Sequence, residues 1–179
     1  MSKLIITLTI IGLISAMSLA FVYEWTTPMI EKHQEEARKE ALKAVLPESD
    51  SFKEVEIAGV TFYEGNKDNE VAMIATGGGF QGQIEMMIGF NPEEEKIYAI
   101  RVLNHSETPG LGANITTVEF EENYQNKPFG VGDYTVVKRP AKADDEVEAI
   151  SGATISSEKV TTIIEEAIVK LKLAYGGEA

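Results

Sequence analysis

Residues 4–23 contain no charged side chain and are dominated by Leu and Ile, and this one run limits what the rest of the chain can be. At about 1.5 Å per residue, a helix of that length covers about 30 Å, the thickness of the hydrocarbon core of a bilayer. We read it as a membrane span. A cleavable signal peptide is the competing reading, because Ser18-Leu19-Ala20 resembles a small-residue cleavage site. Against it, the apolar stretch is long and the basic segment before it is a single residue, Lys3. Gly12, Ala16 and Ala20 recur every four residues and give one side of the helix a smooth strip suited to close approach by another membrane helix.

About 155 residues follow the span, enough for one domain with a genuine core. All 29 acidic residues lie there, and the chain carries a formal net charge of −13. Nucleic acid is therefore excluded as a partner, and anionic membrane surfaces are poor ones, since their phosphates are repelled. The chain has no cysteine, which rules out cysteine-ligated iron–sulfur clusters, Cys-type zinc and attached c-type haem within it. Lys3 precedes the span whereas Lys32, Arg38, Lys39 and Lys43 follow it, so the positive-inside rule does not fix the orientation. A domain of this size translocates largely regardless of charge, and we place it outside the cytoplasm.

Thr27-Pro28 has the form of a helix start, with Thr27 as N-cap and Pro28 at the first position, where its missing donor costs nothing. The helix is expected to run to Leu46 with Ile30, Ala37, Ala41, Leu42, Val45 and Leu46 on one side and Pro47 closing it. The organisation predicted is a tail at 1–3, a transmembrane helix at 4–23, a stalk helix at 24–47 that packs back onto the fold, and a domain at 48–179. Within the domain, short β-prone runs at 54–57, 60–63, 70–76, 83–90 and 96–103 predict an antiparallel meander. Turn residues at 64–69 and 91–94 join neighbouring strands. In the fourth run Ile84, Met86, Ile88 and Phe90 alternate with Glu85, Met87 and Gly89, so one face is apolar. Residues 114–126 read as a short helix with Ile115 and Val118 inward and Phe120 off that face. A loop at 127–133, a strand at 134–138 and a polar loop at 139–148 follow. From 156 to 174 a last helix places Val160, Ile163, Ile164, Ala167, Ile168 and Leu171 on one face. The fold class is α+β: a single N-terminal transmembrane helix, then an antiparallel sheet flanked by helices.

Gly77-Gly78-Gly79-Phe80-Gln81-Gly82 satisfies the letter of the dinucleotide fingerprint G-x-G-x-x-G. That fingerprint requires a helix next, to receive a pyrophosphate on its N-terminus, whereas a two-residue period follows Gly82. A glycine-rich connection, or a loop that allows a ligand close to its backbone, fits better. Walker A, G-x-S-x-G and H-E-x-x-H motifs are absent, and His33 and His105 are the only imidazoles, so hydrolase chemistry lacks parts. No catalytic residue and no metal ligand is assigned.

Two segments carry more chemistry. His105-Ser106-Glu107-Thr108-Pro109-Gly110-Leu111-Gly112 gathers polar side chains and glycines in a loop after a strand, where ligands are usually held. Ser151-Gly152-Ala153-Thr154 puts hydroxyls beside a helix N-terminus, whose exposed N–H groups and dipole suit a phosphate. The same four residues also make an ordinary capped loop.

Together with Thr26-Thr27-Pro28 after one span, these two segments resemble the G subunit of Rnf-type electron-transport complexes. The resemblance covers nearly the whole chain and extends more distantly to the C subunit of the sodium-translocating NADH:quinone oxidoreductase, which shares an FMN-binding domain. It implies FMN joined through its phosphate to Thr154 by a separate flavin transferase, with Ser151, Gly152 and Ala153 around the attachment. By analogy His105, Glu107, Thr108, Gly110, Leu111 and Gly112 line the flavin site. Lys138, Arg139 and Lys142 are the nearest basic cluster in sequence to a phosphoester there. One departure is Glu148, where the transferase's usual pattern begins with Asp; Glu keeps the charge and lengthens the reach. The implied role is a redox subunit, without independent catalysis, of an ion-translocating ferredoxin:NAD oxidoreductase. Its implied partners are the other membrane subunits, the transferase and membrane lipid. Its implied location is the bacterial cytoplasmic (inner) membrane, single-pass, with the domain on the extracytoplasmic side. Two other readings fit the residues: a membrane-tethered ligand-binding or sensory module without covalent flavin, and a structural subunit bridging partners through Gly12, Ala16 and Ala20.

Overall fold

The computed structural model describes residues 2–67, 69–130 and 133–176. Met1 of the expected tail, Asp68 of the turn at 64–69, Val131 and Gly132 of the loop at 127–133, and residues 177–179 of the expected domain lie outside the described residues. The backbone divides into two units, Met1–Arg38 and Lys39–Ala179.

Helix α1 runs unbroken over Ser2–Val45 with Pro28 inside it, so the expected helix start at Thr27-Pro28 is not there. Pro28 offers no N–H to the carbonyl four residues back. The residues before it tighten the turn instead: Thr26 Oγ1 donates to Val22 O at 2.8 Å and Thr27 Oγ1 to Tyr23 O at 2.7 Å. Thr27 is thus an interior helical residue whose hydroxyl bonds backward, not an N-cap. The apolar part of α1 is long enough and apolar enough to cross a membrane, and none of it is buried within the protein.

In the second unit, alternation of β-branched and aromatic residues yields a meander of five strands: β1 Phe52–Ile57, β2 Val60–Gly65, β3 Val71–Gly78, β4 Gln83–Asn91 and β5 Lys96–His105. Each pairs antiparallel with the next, and a two-residue strand β6, Lys127–Pro128, adds to the edge of β5 to give a six-stranded sheet. β6 occupies the start of what was expected to be loop. Strand β7, Thr135–Val137, pairs in parallel with β8, Glu146–Glu148, so the expected polar loop at 139–148 ends in a strand. In place of one helix at 114–126 there are a 3-10 turn Gly112–Thr116, helix α2 Val118–Glu121 and a 3-10 turn Glu122–Tyr124. Thr117 is extended, at φ −76° and ψ 144°, and it resets the phase between the first two of these. Ile115 is buried as expected, but Val118 is exposed and Phe120 buried in its place. Helix α3 spans Thr154–Tyr175.

The sheet is covered on both faces. Val160, Ile163, Ile164, Ala167, Ile168 and Leu171 of α3 pack with Met73, Ile84, Met86, Ile88 and Phe90 in the main core. Each fully buried aliphatic side chain there contributes about 1.5–3 kcal/mol. On the opposite face the end of α1 brings Ala41, Leu42, Val45 and Leu46 against Ala72 and Met87. Gly89 of β4 makes this approach possible: a Cβ there would lie 2.1 Å from the Val45 carbonyl oxygen. Met87, on the strand face expected to be the less apolar one, is therefore completely buried.

Candidate functional site

At the end of the sheet where β3 turns into β4 and β5 ends, three segments far apart in sequence converge: the glycine-rich β3–β4 loop, the loop after β5, and the start of α3. Glu107 joins them. Although it lies in a polar loop it is only 5% exposed. Its Oε1 accepts hydrogen bonds from the backbone N–H groups of Phe80 at 2.7 Å and Gln81 at 3.0 Å. Its Oε2 accepts one from Ser156 Oγ at 2.6 Å. Burial alone would raise the Glu107 carboxyl; the hydrogen bonds from Ser156, Gln81 and Phe80, with the nearby His105, hold it below the usual carboxylate range.

The glycines around this carboxylate are there for close packing. A Cβ on Gly79 would come within 2.4 Å of Glu107 Oε1, and one on Gly112 within 2.4 Å of Oε2 and 2.6 Å of Ser156 Oγ. The fingerprint-like run therefore admits a carboxylate of the chain itself, and a strand, β4, follows it in place of a helix.

The Ser151–Thr154 segment is held from inside the helix that follows. Ser157 Oγ accepts from the Ile150 N–H at 3.0 Å, and the Ala153 N–H donates to Ile150 O at 2.9 Å. Gly152 adopts φ +79°, a left-handed conformation that costs glycine little. Ala153 is the N-cap of α3, and no side chain among the described residues caps the helix. Its first N–H groups are thus left for another acceptor, the arrangement that favours an anion. Of the three hydroxyls in the first turn, those of Ser156 and Ser157 are engaged and buried. Thr154, half-buried, is the one whose hydroxyl has no hydrogen-bond partner among the described residues.

These segments enclose a cleft of about 530 Å³. Ser151, Gly152, Ala153 and Thr154 form one wall, and Glu107, Thr108, Leu111 and Gly112 another. Two site residues expected from sequence stand one step back. His105 does not line the cleft; its Nδ1 accepts the Glu107 N–H at 3.1 Å. Gly110 supplies a turn at φ +76° that brings Leu111 round to the cleft. Sequence reasoning missed Phe80, Ile155 and Ser156, and it gave Lys138 and Glu148 no place in the wall. Hydroxyl spacing after Thr154 was the available signal for Ser156; the others depend on the fold. Lys138 is the only member of the basic cluster that reaches the cleft. Arg139 is instead bound to the Glu146 carboxylate, which also accepts the Lys142 N–H at 2.8 Å. That pairing pushes Glu146 down to about 2.

A cleft of this size suits a mononucleotide-sized ligand, and the sequence comparisons agree. The family model described as FMN-binding domain matches residues 79–169. The chain belongs to the FMN-binding domain family. The match to the FMN-binding domain opens in the glycine-rich loop and closes in α3, and so takes in every residue that lines the cleft. The chain is 35% identical to the G subunit of the ion-translocating oxidoreductase complex of Methanosarcina acetivorans, across 93% of this chain and 92% of that protein. It is 30% identical to the G subunit of the proton-translocating ferredoxin:NAD(+) oxidoreductase complex of Clostridium ljungdahlii, across 96% and 91%. Among solved structures, Shewanella oneidensis NqrC superposes with a TM-score of 0.55 at 24% identity, over 59% of this chain and 54% of that one. The C subunit of the Na(+)-translocating NADH-quinone reductase of Parabacteroides distasonis gives 0.52 at 27%, over 61% and 59%. The FMN-binding domain fold is therefore shared, over little more than half of each NqrC-type chain.

Proposed function

We propose that this protein is a membrane-anchored electron-transfer subunit of an ion-translocating ferredoxin:NAD oxidoreductase complex, carrying FMN in phosphoester linkage to Thr154. The observation that carries the reading is Thr154: half-buried in the cleft wall, its hydroxyl without a hydrogen-bond partner among the described residues, and the first residue of an uncapped 22-residue helix. A separate flavin transferase would form the bond from Thr154 Oγ1 to phosphorus and break the phosphorus–oxygen bond of a flavin–nucleoside diphosphate donor, whose nucleoside monophosphate would leave as the hydroxyl proton is released.

The residues present fit the group. Gly152 leaves the approach to the hydroxyl open, since a Cβ there would meet only Leu111. The α3 N-terminus and the Lys138 ammonium supply the positive potential that a phosphodiester needs in an acidic domain. When bound, FMN supplies the redox chemistry, accepting electrons and passing them on. The chain's own residues bind and orient it: Glu107 fixes the two loops to α3, and the ester prevents loss of the cofactor to dilution outside the cell. The apolar part of α1 anchors the chain in the cytoplasmic membrane, beside the other subunits of the complex, with the domain on the extracytoplasmic side.

Intact-mass measurement and peptide mapping test this directly. Full-length protein from a host containing the flavin transferase should carry one FMN-sized increment on the peptide containing Thr154, fluorescent in a denaturing gel. Thr154→Val should abolish both signals. An increment that persists in Thr154→Val, or wild-type material with none, refutes the assignment.

A further inference from the structure

We propose that Phe80 is the platform against which the flat ring system of the flavin packs, and that the glycine-rich loop exists to hold that one side chain rigidly in the cleft. The inference rests on the reading that Thr154 carries FMN, and it concerns a residue outside the attachment segment.

The loop is pinned along its length. Gly77 lies flush on α3, where a Cβ would meet Ile163 Cγ1 at 2.4 Å. Gly79 is flush on Glu107, and Gly82 lies against Ser106, where a Cβ would come within 2.8 Å of that residue's Cβ. The turn closes on itself through the Gly79 N–H to Gly82 O bond at 2.6 Å. Its middle is fixed by the Phe80 and Gln81 N–H groups, which share one oxygen of Glu107. Because the other oxygen of that carboxylate holds Ser156, the Phe80 backbone is tied to the same helical turn that bears Thr154.

On this hydrogen-bonded backbone the Phe80 ring is 59% exposed, whereas Phe62, Phe90, Phe120 and Phe129 of the same unit are all buried. Free rotation of a loose loop cannot account for the exposure, because the loop is not loose. Phe80 also lines the cleft, where Leu111 and Ile155, themselves about half exposed, come from two other anchored segments. Three apolar side chains therefore face one cavity that also holds the Thr154 hydroxyl. A phosphate ester alone would leave all three in water. A ligand with a phosphate at one end and a planar tricyclic ring at the other accounts for both features. Aromatic rings favour such contacts in offset-stacked or edge-to-face geometry. As a positioning residue, Phe80 keeps water from one side of the ring and lowers the local polarity, which disfavours added negative charge on it.

The test uses full-length protein co-produced with the flavin transferase and purified in detergent, as wild type, Phe80→Ala and Phe80→Trp. Intact mass first establishes the FMN load of each; wild type without FMN refutes the underlying reading, not this inference. In loaded proteins, Phe80→Ala should raise the iodide quenching constant of flavin fluorescence by about two- to twelvefold, the range by which loss of one aromatic pair shifts the balance between covered and open rings. Its midpoint potential should move upward, and Phe80→Trp should restore the shielding. A folded Phe80→Ala that takes up no flavin while Phe80→Trp does also supports the platform, acting before the ester forms. Unchanged quenching and potential in fully loaded Phe80→Ala overturn the proposal. So does a loss confined to electron delivery by the assembled complex, which would make Phe80 a protein–protein contact.

Discussion

Replacing Glu107 separates a structural account of the cleft from one in which this carboxylate is merely a surface group. In Glu107→Ala the Phe80 and Gln81 N–H groups and the Ser156 hydroxyl lose their shared acceptor. The two N–H groups belong to an exposed loop and can rehydrate, but Ser156 is 3% exposed and cannot. A stranded buried donor costs about 1–3 kcal/mol, and each lost charge-assisted bond about 1.5–3 kcal/mol before rehydration, so a net loss of about 2–4 kcal/mol is expected. Glu107→Gln keeps the shape and one carbonyl oxygen for the two N–H groups, and its amide can donate to Ser156 Oγ, which then no longer donates; the charge and that one donated bond are lost, at about 1–2 kcal/mol. Hydrogen exchange of the peptide spanning residues 77–82, measured by mass spectrometry on the full chain, reads this out. At about 1.4 kcal/mol per tenfold, 2 kcal/mol corresponds to exchange about 30-fold faster in Glu107→Ala, with Glu107→Gln between it and wild type. The pH dependence gives a second signature. The folded carboxyl titrates below its ordinary value of 4.5. Its stabilising contribution is thus full above about pH 4.5 and fades as pH falls through the depressed folded value, so wild type and Glu107→Gln should converge in acid. Unchanged protection in Glu107→Ala, or a loss in Glu107→Gln as large as in Glu107→Ala, would refute the reasoning.

Two further outcomes follow from other contacts. Gly89→Ala pushes a methyl group into the Val45 carbonyl oxygen; it should lower thermal stability by about 1–3 kcal/mol through overpacking and raise protease sensitivity near Leu46, and a neutral substitution would show that the end of α1 shifts freely on the sheet. Arg139→Ala should return the Glu146 carboxyl from about 2 toward 4.5 in an NMR titration; a value that stays near 2 would mean that the Lys142 and Ala143 N–H groups suffice.

The fold was largely legible because its main elements carry strong periodic signals. The five meander strands and the inward face of α3 follow from residues such as Ile84, Met86, Ile88 and Phe90, or Val160, Ile164 and Leu171, whose spacing matches one period only. What escaped lacked a period or depended on distant partners. β6 and β8 are two and three residues long and exist by pairing, β6 with β5 and β8 in parallel with β7. Thr27-Pro28 carries a start signal, but the apolar run before it is itself helical, so the helix continues through the proline. Phe120 turns inward because the extended Thr117 shifts the helical phase. In the site, Ser151-Gly152-Ala153-Thr154 by itself read equally as a capped loop, and only its resemblance to a known family, taken with the loop at 105–112, singled it out. The burial of Glu107 could not be read, since a carboxylate in a polar loop looks solvated until the chain supplies three donors from 26, 27 and 49 residues away.

Those separations bear on how the protein is made. A ribosome releases the N-terminal portions first, so Glu107 emerges well before the serine that completes its bonding. Until the final helix has docked, the loops beside it lack their fastening and one surface of the sheet is bare. The threonine proposed for modification begins that same helix. An enzyme that recognises the threonine in its finished surroundings would thereby act only on chains in which α3 has docked.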